Sequence, residues 1–168
     1  MQKFLRKLRS DEKGAALVEF ALYTTLFFLA ALPALDFGAF YLERSKLDEA
    51  VSAGSMVAFR NADSVAFDDL PNQVRALAED ANLTVTLKCN GVSGSCTNFS
   101  RSCSCLKTDG SYQPTGACGE PCGGGATGGS TSGYYLTIEA RSSYEPLVLP
   151  GSVLSDTDLQ REATVRLQ

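Results

Sequence analysis

Glu19 is the side chain with most to explain. From Ala15 to Leu35 the sequence runs through 21 residues, and Glu19 is the one acidic or basic side chain among them. A helix of that length rises roughly 30 Å, about the thickness of a bilayer's hydrocarbon core. A carboxylate placed there is expensive and calls for a partner. Cutting the chain after Gly14 would supply one, because Ala15 would become the N-terminus and put a cationic amine four residues ahead of Glu19. Residues four apart share a helix face, so the pair can close within one chain. It can equally close between neighbouring chains, where it would set the axial stagger of packed helices. In low dielectric such a pair attracts strongly and an unpaired member is costly. Without the cut, Glu19 would stay protonated or snorkel toward the interface it lies near.

Other reactive chemistry is sparse. The chain has no His, which removes the Ser/His and Cys/His nucleophile pairs. The acidic pairs Asp68/Asp69 and Glu79/Asp80 fall where helix ends place charge. No enzymatic activity and no cofactor are expected. Cys89, Cys96, Cys103, Cys105, Cys118 and Cys122 are the only cysteines, all within a segment rich in Gly and Ser. An even number so placed points to disulfides in an oxidising compartment. As zinc ligands they lack C-x₂-C pairs and any His. Their spacing does not choose a pairing; only Cys103 with Cys105 is excluded, because that ring is too tight. Gly123-Gly124-Gly125-Ala126-Thr127-Gly128-Gly129-Ser130 lacks the Lys-Ser/Thr of a phosphate loop, and we expect a flexible tether there.

Charge sets the orientation. The chain holds 15 basic and 19 acidic residues. Removing Met1 to Gly14 takes away five basic and two acidic residues and leaves 10 against 17. So acidic a body excludes nucleic acid as a partner, since phosphate binding needs clustered Lys and Arg. The basic leader fits a cytoplasmic flank, which puts the rest of the chain on the other side of the membrane. The apolar run is too long for an ordinary secretory peptide and has no clean small-x-small site.

The elements that position these residues follow from periodicity. We expect a basic leader over 1–14 and a transmembrane helix over 15–35, loosened at Pro33. An amphipathic continuation follows over 36–60, on a stripe of Phe37, Phe40/Tyr41, Arg44, Leu47, Val51, Gly54 and Val57/Ala58 in which only Arg44 and Gly54 are off-pattern. The remainder, 61–168, should form a periplasmic or extracellular head. Asp68-Asp69-Leu70-Pro71 starts a short helix over about 71–81. Strands are expected at Leu83–Lys88, Tyr134–Tyr144 and Leu159–Leu167, the last with Leu159, Arg161, Ala163, Val165 and Leu167 on one face. The stretch 89–133 is a Cys/Gly-rich loop that cannot bury much apolar surface. The fold class is α+β: a long N-terminal helix packed on a small antiparallel sheet with a disulfide-rich loop.

Basic flank, Gly14, a short apolar run, Glu19 at the fifth position after the cut, then Phe20: this pattern resembles the class III signal of type IV pilins and pseudopilins. Within that group Gly14-Ala-Ala-Leu-Val-Glu19-Phe20, followed by Asp36-Phe37-Gly38, is similar to the TadE-like family, minor pseudopilins of the tight-adherence (Tad/Flp) pilus. The Tyr144-Glu145-Pro146-Leu147 turn and the Arg-containing last strand resemble the same family less closely. The resemblance implies cleavage between Gly14 and Ala15 by a prepilin peptidase, and a role for Glu19 and Phe20 in assembly. It implies other pilin and pseudopilin subunits, the inner-membrane assembly platform and the lipid bilayer as partners. It also implies the bacterial inner membrane as the location and support of pilus biogenesis, adhesion and surface attachment as the function. The competing expectation is a static single-pass anchor displaying a disulfide-stabilised binding or adhesion domain.

Overall fold

A computed structural model describes residues 12–94, 96, 102–149 and 157–167. Helix α1 runs unbroken from Glu12 to Arg60, 49 residues with Pro33 inside it. A proline in mid-helix removes one hydrogen bond and crowds the preceding turn, yet here it does not end the helix. The α1 helix is long and apolar enough to cross a membrane, with a mean hydropathy of 1.9 over its best 18-residue window and none of that window buried within the chain.

The chain divides into two compact units. One comprises 1–41 with 145–155, and the other 42–144 with 156–168. In the second unit the α1 stripe is buried at Leu47, Ala50, Val51 and Ala58. Gly54 belongs to this stripe. A Cβ on it would lie 2.7 Å from Val74 Cγ2 and 3.6 Å from Ile138 Cδ1, so only glycine lets helix and neighbours approach so closely. In the first unit Phe37 and Tyr41 are exposed, contrary to the expected stripe, which starts to be buried only at Leu47.

Helix α2 spans Leu70–Ala78 and buries Leu70, Val74 and Ala78. It stops three residues before the expected end, because Glu79 turns left-handed (φ 55°) and its N–H caps the carbonyls of Arg75 and Ala76. No glycine marks that stop, so the sequence does not announce it. The strands are β1 Thr84–Cys89, β2 Val92–Ser93, β3 Ser104–Leu106, β4 Tyr112–Pro114, β5 Tyr135–Ser143 and β6 Asp158–Arg166. The main sheet has the order β2-β1-β5-β6, all antiparallel, one strand more than expected. The extra strand hangs on Asn90-Gly91, a two-residue turn with φ of 51° and 77° that sets Cys89 opposite Val92. Asn-Gly is a strong hairpin signal, and the sequence held it. On β6 the expected inward set is the less exposed one: Leu159 is buried, and Arg161, Ala163 and Val165 are half-buried between exposed Gln160, Glu162 and Thr164.

Strand β5 is buried without interruption from Tyr135 to Ala140. Leu136, Ile138 and Ala140 face the helical layer, where Ile138 meets Gly54. The opposite face is covered by the cysteine-rich segment. Tyr112 on β4 donates or accepts at Thr137 Oγ1 (3.2 Å), and its ring lies 6.0 Å from that of Tyr135. Disulfides join Cys89 to Cys96, Cys103 to Cys118 and Cys105 to Cys122. The expected tether at 123–130 is instead folded back. Thr108 donates to the Gly125 carbonyl, Cys122 to Ser130 and Ser130 to Thr127. Gly124, Gly125 and Gly129 supply the positive φ such turns need, so glycine here encodes tight turns rather than slack.

Gly54→Ala should lower stability by about 1–3 kcal/mol through overpacking, whereas Gly14→Ala should cost none, both measured by thermal unfolding of the full chain in detergent. Alkylation of the folded, unreduced protein should modify no thiol, and peptide mapping should return the three pairs above.

Candidate functional site

Gly14, Ala15, Glu19 and Phe20 all lie on α1 and are exposed. The leader up to Asp11 lies outside the described residues. A Cβ on Gly14 would meet nothing within 4 Å, and its φ is not positive. Glycine in a helix interior costs about 1 kcal/mol against alanine, and neither packing nor backbone strain accounts for it here. Gly54 is kept by its own fold; Gly14 is not. In the uncut chain the Ala15 nitrogen is a peptide nitrogen, so the amine that would answer Glu19 does not yet exist. The unbroken helix nonetheless sets positions 15 and 19 on one face, one turn apart.

The structure adds a residue that spacing arguments passed over. Asp36 lies one position past the apolar run and is fully buried. Its Oδ1 accepts from Leu147 N–H (3.0 Å), and its Oδ2 from Val148 N–H (2.9 Å) and Leu149 N–H (2.6 Å). Three successive amides converge on one carboxylate from 111 to 113 residues away in sequence. Burial opposes the charged form, but the amides of Leu149, Val148 and Leu147 outweigh it and hold the carboxyl below its ordinary value. The signals were present but separate: a lone acid at the end of a greasy run, and an apolar Glu145–Pro150 stretch bounded by prolines.

A second buried carboxylate, Glu139 on β5, is 3% exposed. Lys88 Nζ on β1 is 2.6 Å from its Oε2, while Arg141 Nε (2.7 Å) and Gln160 Nε2 on β6 (2.8 Å) donate to its Oε1. Hydrogen bonds from Lys88 and Arg141 overcome burial and lower its pKa. The cluster ties three strands together through one carboxylate. A polar cleft of about 430 Å³ lies nearby, lined by Asp80, Asn82, Arg141, Ser142, Asp158 and Gln160 among others. Ser142 Oγ there donates to Asp80 (2.9 Å), so its hydroxyl is engaged within the fold.

The Asp36 clamp has a definite pH dependence. A carboxyl lowered on folding stabilises the folded form above its unfolded value of about 3.9. That contribution disappears as pH falls through the depressed folded value. Amides of Leu147, Val148 and Leu149 should stay protected from hydrogen exchange at pH 5–7. They should lose protection, after correction for the intrinsic rate, only below the usual aspartate range. In Asp36→Asn one of the two acceptor oxygens becomes an NH₂ donor, so at least one of the three amides should lose protection at every pH.

Comparison with known proteins bears on the same helix. A family model described as TadE-like protein matches residues 14–55, the part of α1 that holds Gly14, Glu19 and Asp36. No curated protein and no solved structure matches the chain. Over residues 14–55, a quarter of the chain, the sequence is similar to TadE-like proteins.

Proposed function

We propose that the chain is a minor pseudopilin of a Tad/Flp-type pilus, cut after Gly14 by a prepilin peptidase and drawn from the inner membrane into pilus assembly. The carrying observation is that the apolar half of α1 is exposed among the described residues, and that this half opens on Gly14, Ala15 and Glu19. Such a surface must be covered by lipid before assembly and by other helices after it. Removing the leader converts the Ala15 nitrogen into a cation one turn from Glu19. In apolar surroundings an acid without a partner is costly, so the pair favours the arrangement in which every carboxylate meets an amine. That gives the helices a register.

The basic leader keeps the N-terminus cytoplasmic, and the disulfide-bonded unit then faces the oxidising periplasm. Pilin and pseudopilin subunits, with the membrane assembly platform, are the partners this reading requires. Support of adhesion and surface attachment follows from pilus biogenesis.

Mass spectrometry of the membrane-extracted protein should give a mature N-terminus at Ala15; an intact Met1 would leave a static anchored domain instead. Gly14→Ala should still be processed, while bulky replacements block the cut. Glu19→Val should insert and be cut normally but abolish its support of piliation, scored by electron microscopy of complemented cells. Normal piliation would exclude the register role.

A further inference from the structure

The Asp36 clamp holds an unusual segment. Between Glu145 and Gly151 the sequence is Pro146-Leu147-Val148-Leu149-Pro150. The two prolines have no backbone N–H, and the three amides between them all donate to Asp36. No backbone donor of this run is left seeking water. Its side chains point the other way in character: Leu147 is 84% exposed and Val148 48% exposed. An ordered, apolar, donor-satisfied loop with exposed aliphatic tips is ill-suited to bulk water. With its N–H groups paired, such a run enters a membrane's interfacial layer at lower cost than one with free donors.

Its height along α1 is fixed by the same contacts. Asp36 follows Leu35, the last residue of the apolar run, by about 1.5 Å of helix rise. Phe37 and Tyr41 come next, 52% and 70% exposed, on one face four residues apart. Aromatic side chains at this level are what the boundary between hydrocarbon and headgroups favours. The loop is thus held, by hydrogen bonds to Asp36, where the apolar span gives way to the aromatic level. Span and loop together offer lipid one continuous surface.

We propose that Leu147 and Val148 form a membrane-docking tip, inserted into the interfacial layer of the leaflet on the C-terminal side of the span, with Asp36 as the residue that positions it. The partner is the lipid bilayer. The proposal rests on α1 spanning the membrane from Ala15 to Leu35, but not on pilus assembly. In the membrane-resident protein the tip would add a second point of attachment beside the helix. Extraction of α1 into a filament would then have to pull the tip out of the lipid as well.

The chain contains no tryptophan, so a single introduced one is an unambiguous reporter. Leu147→Trp and, separately, Leu22→Trp would be made in the full chain. Each would be reconstituted in phosphatidylcholine vesicles carrying bromine either near the glycerol or deep in the acyl chains. For Leu147→Trp the expected result is blue-shifted emission, quenched several-fold more by shallow than by deep bromine. For Leu22→Trp the deep bromine should quench at least as strongly. Adding Asp36→Asn to Leu147→Trp should return the emission toward the red and remove most of the quenching. Red, unquenched emission from Leu147→Trp beside a quenched Leu22→Trp would overturn the docking tip alone. Blue emission that no bromine quenches would assign the tip to a protein neighbour and overturn it too. An unquenched Leu22→Trp would overturn the spanning helix and the docking tip together.

Discussion

The N-terminal half of α1 is apolar, and its side chains are mostly exposed among the described residues. Water is a poor environment for such a surface, and the helix is long and apolar enough to cross a membrane. That apolarity makes Glu19 costly. It makes the point where the apolar run ends, at Leu35, a physical boundary, and it gives the buried Asp36 a place immediately outside it.

Three carboxylates illustrate how the chain handles acid away from water. Glu139 is buried in the sheet and saturated by a lysine, an arginine and a glutamine amide. Asp36 is buried and accepts from three backbone amides that converge on its two oxygens. Both carboxyls are held below their usual range, because hydrogen bonds to the charged form outweigh desolvation. Glu19 differs in kind. Its side chain is exposed on an apolar helix, with no hydrogen bond or ion pair among the described residues. The first two are tied into the fold by their hydrogen bonds; for the third, the partner is the one proposed above.

The cysteine-rich segment solves a different problem. A central strand such as β5, buried from Tyr135 to Ala140, needs cover on both faces. The helical layer covers one. The other is covered by a segment poor in aliphatic residues, which uses Tyr112 against Thr137 and Tyr135 and is held by Cys103–Cys118 and Cys105–Cys122. Covalent links and glycine-dependent turns replace the apolar burial that this composition cannot supply.

Local pattern was enough for much of this. The long helix and its end at Arg60, the positions of β1, β5 and β6, the inward face of β6, and the presence of disulfides were all legible, because each depends on periodicity or composition over neighbouring residues. Asn90-Gly91 also announced its hairpin, although the fourth strand was not foreseen from it. The end of α2 was not legible, since Glu79 adopts a left-handed cap without glycine. Nor was the folding of 123–130, because glycine runs serve slack and tight turns alike. The disulfide pairing and the Asp36 clamp were decided only by tertiary structure. Both join groups far apart in the chain, and the clamp's donors are backbone amides, which every non-proline residue carries and no sequence pattern distinguishes.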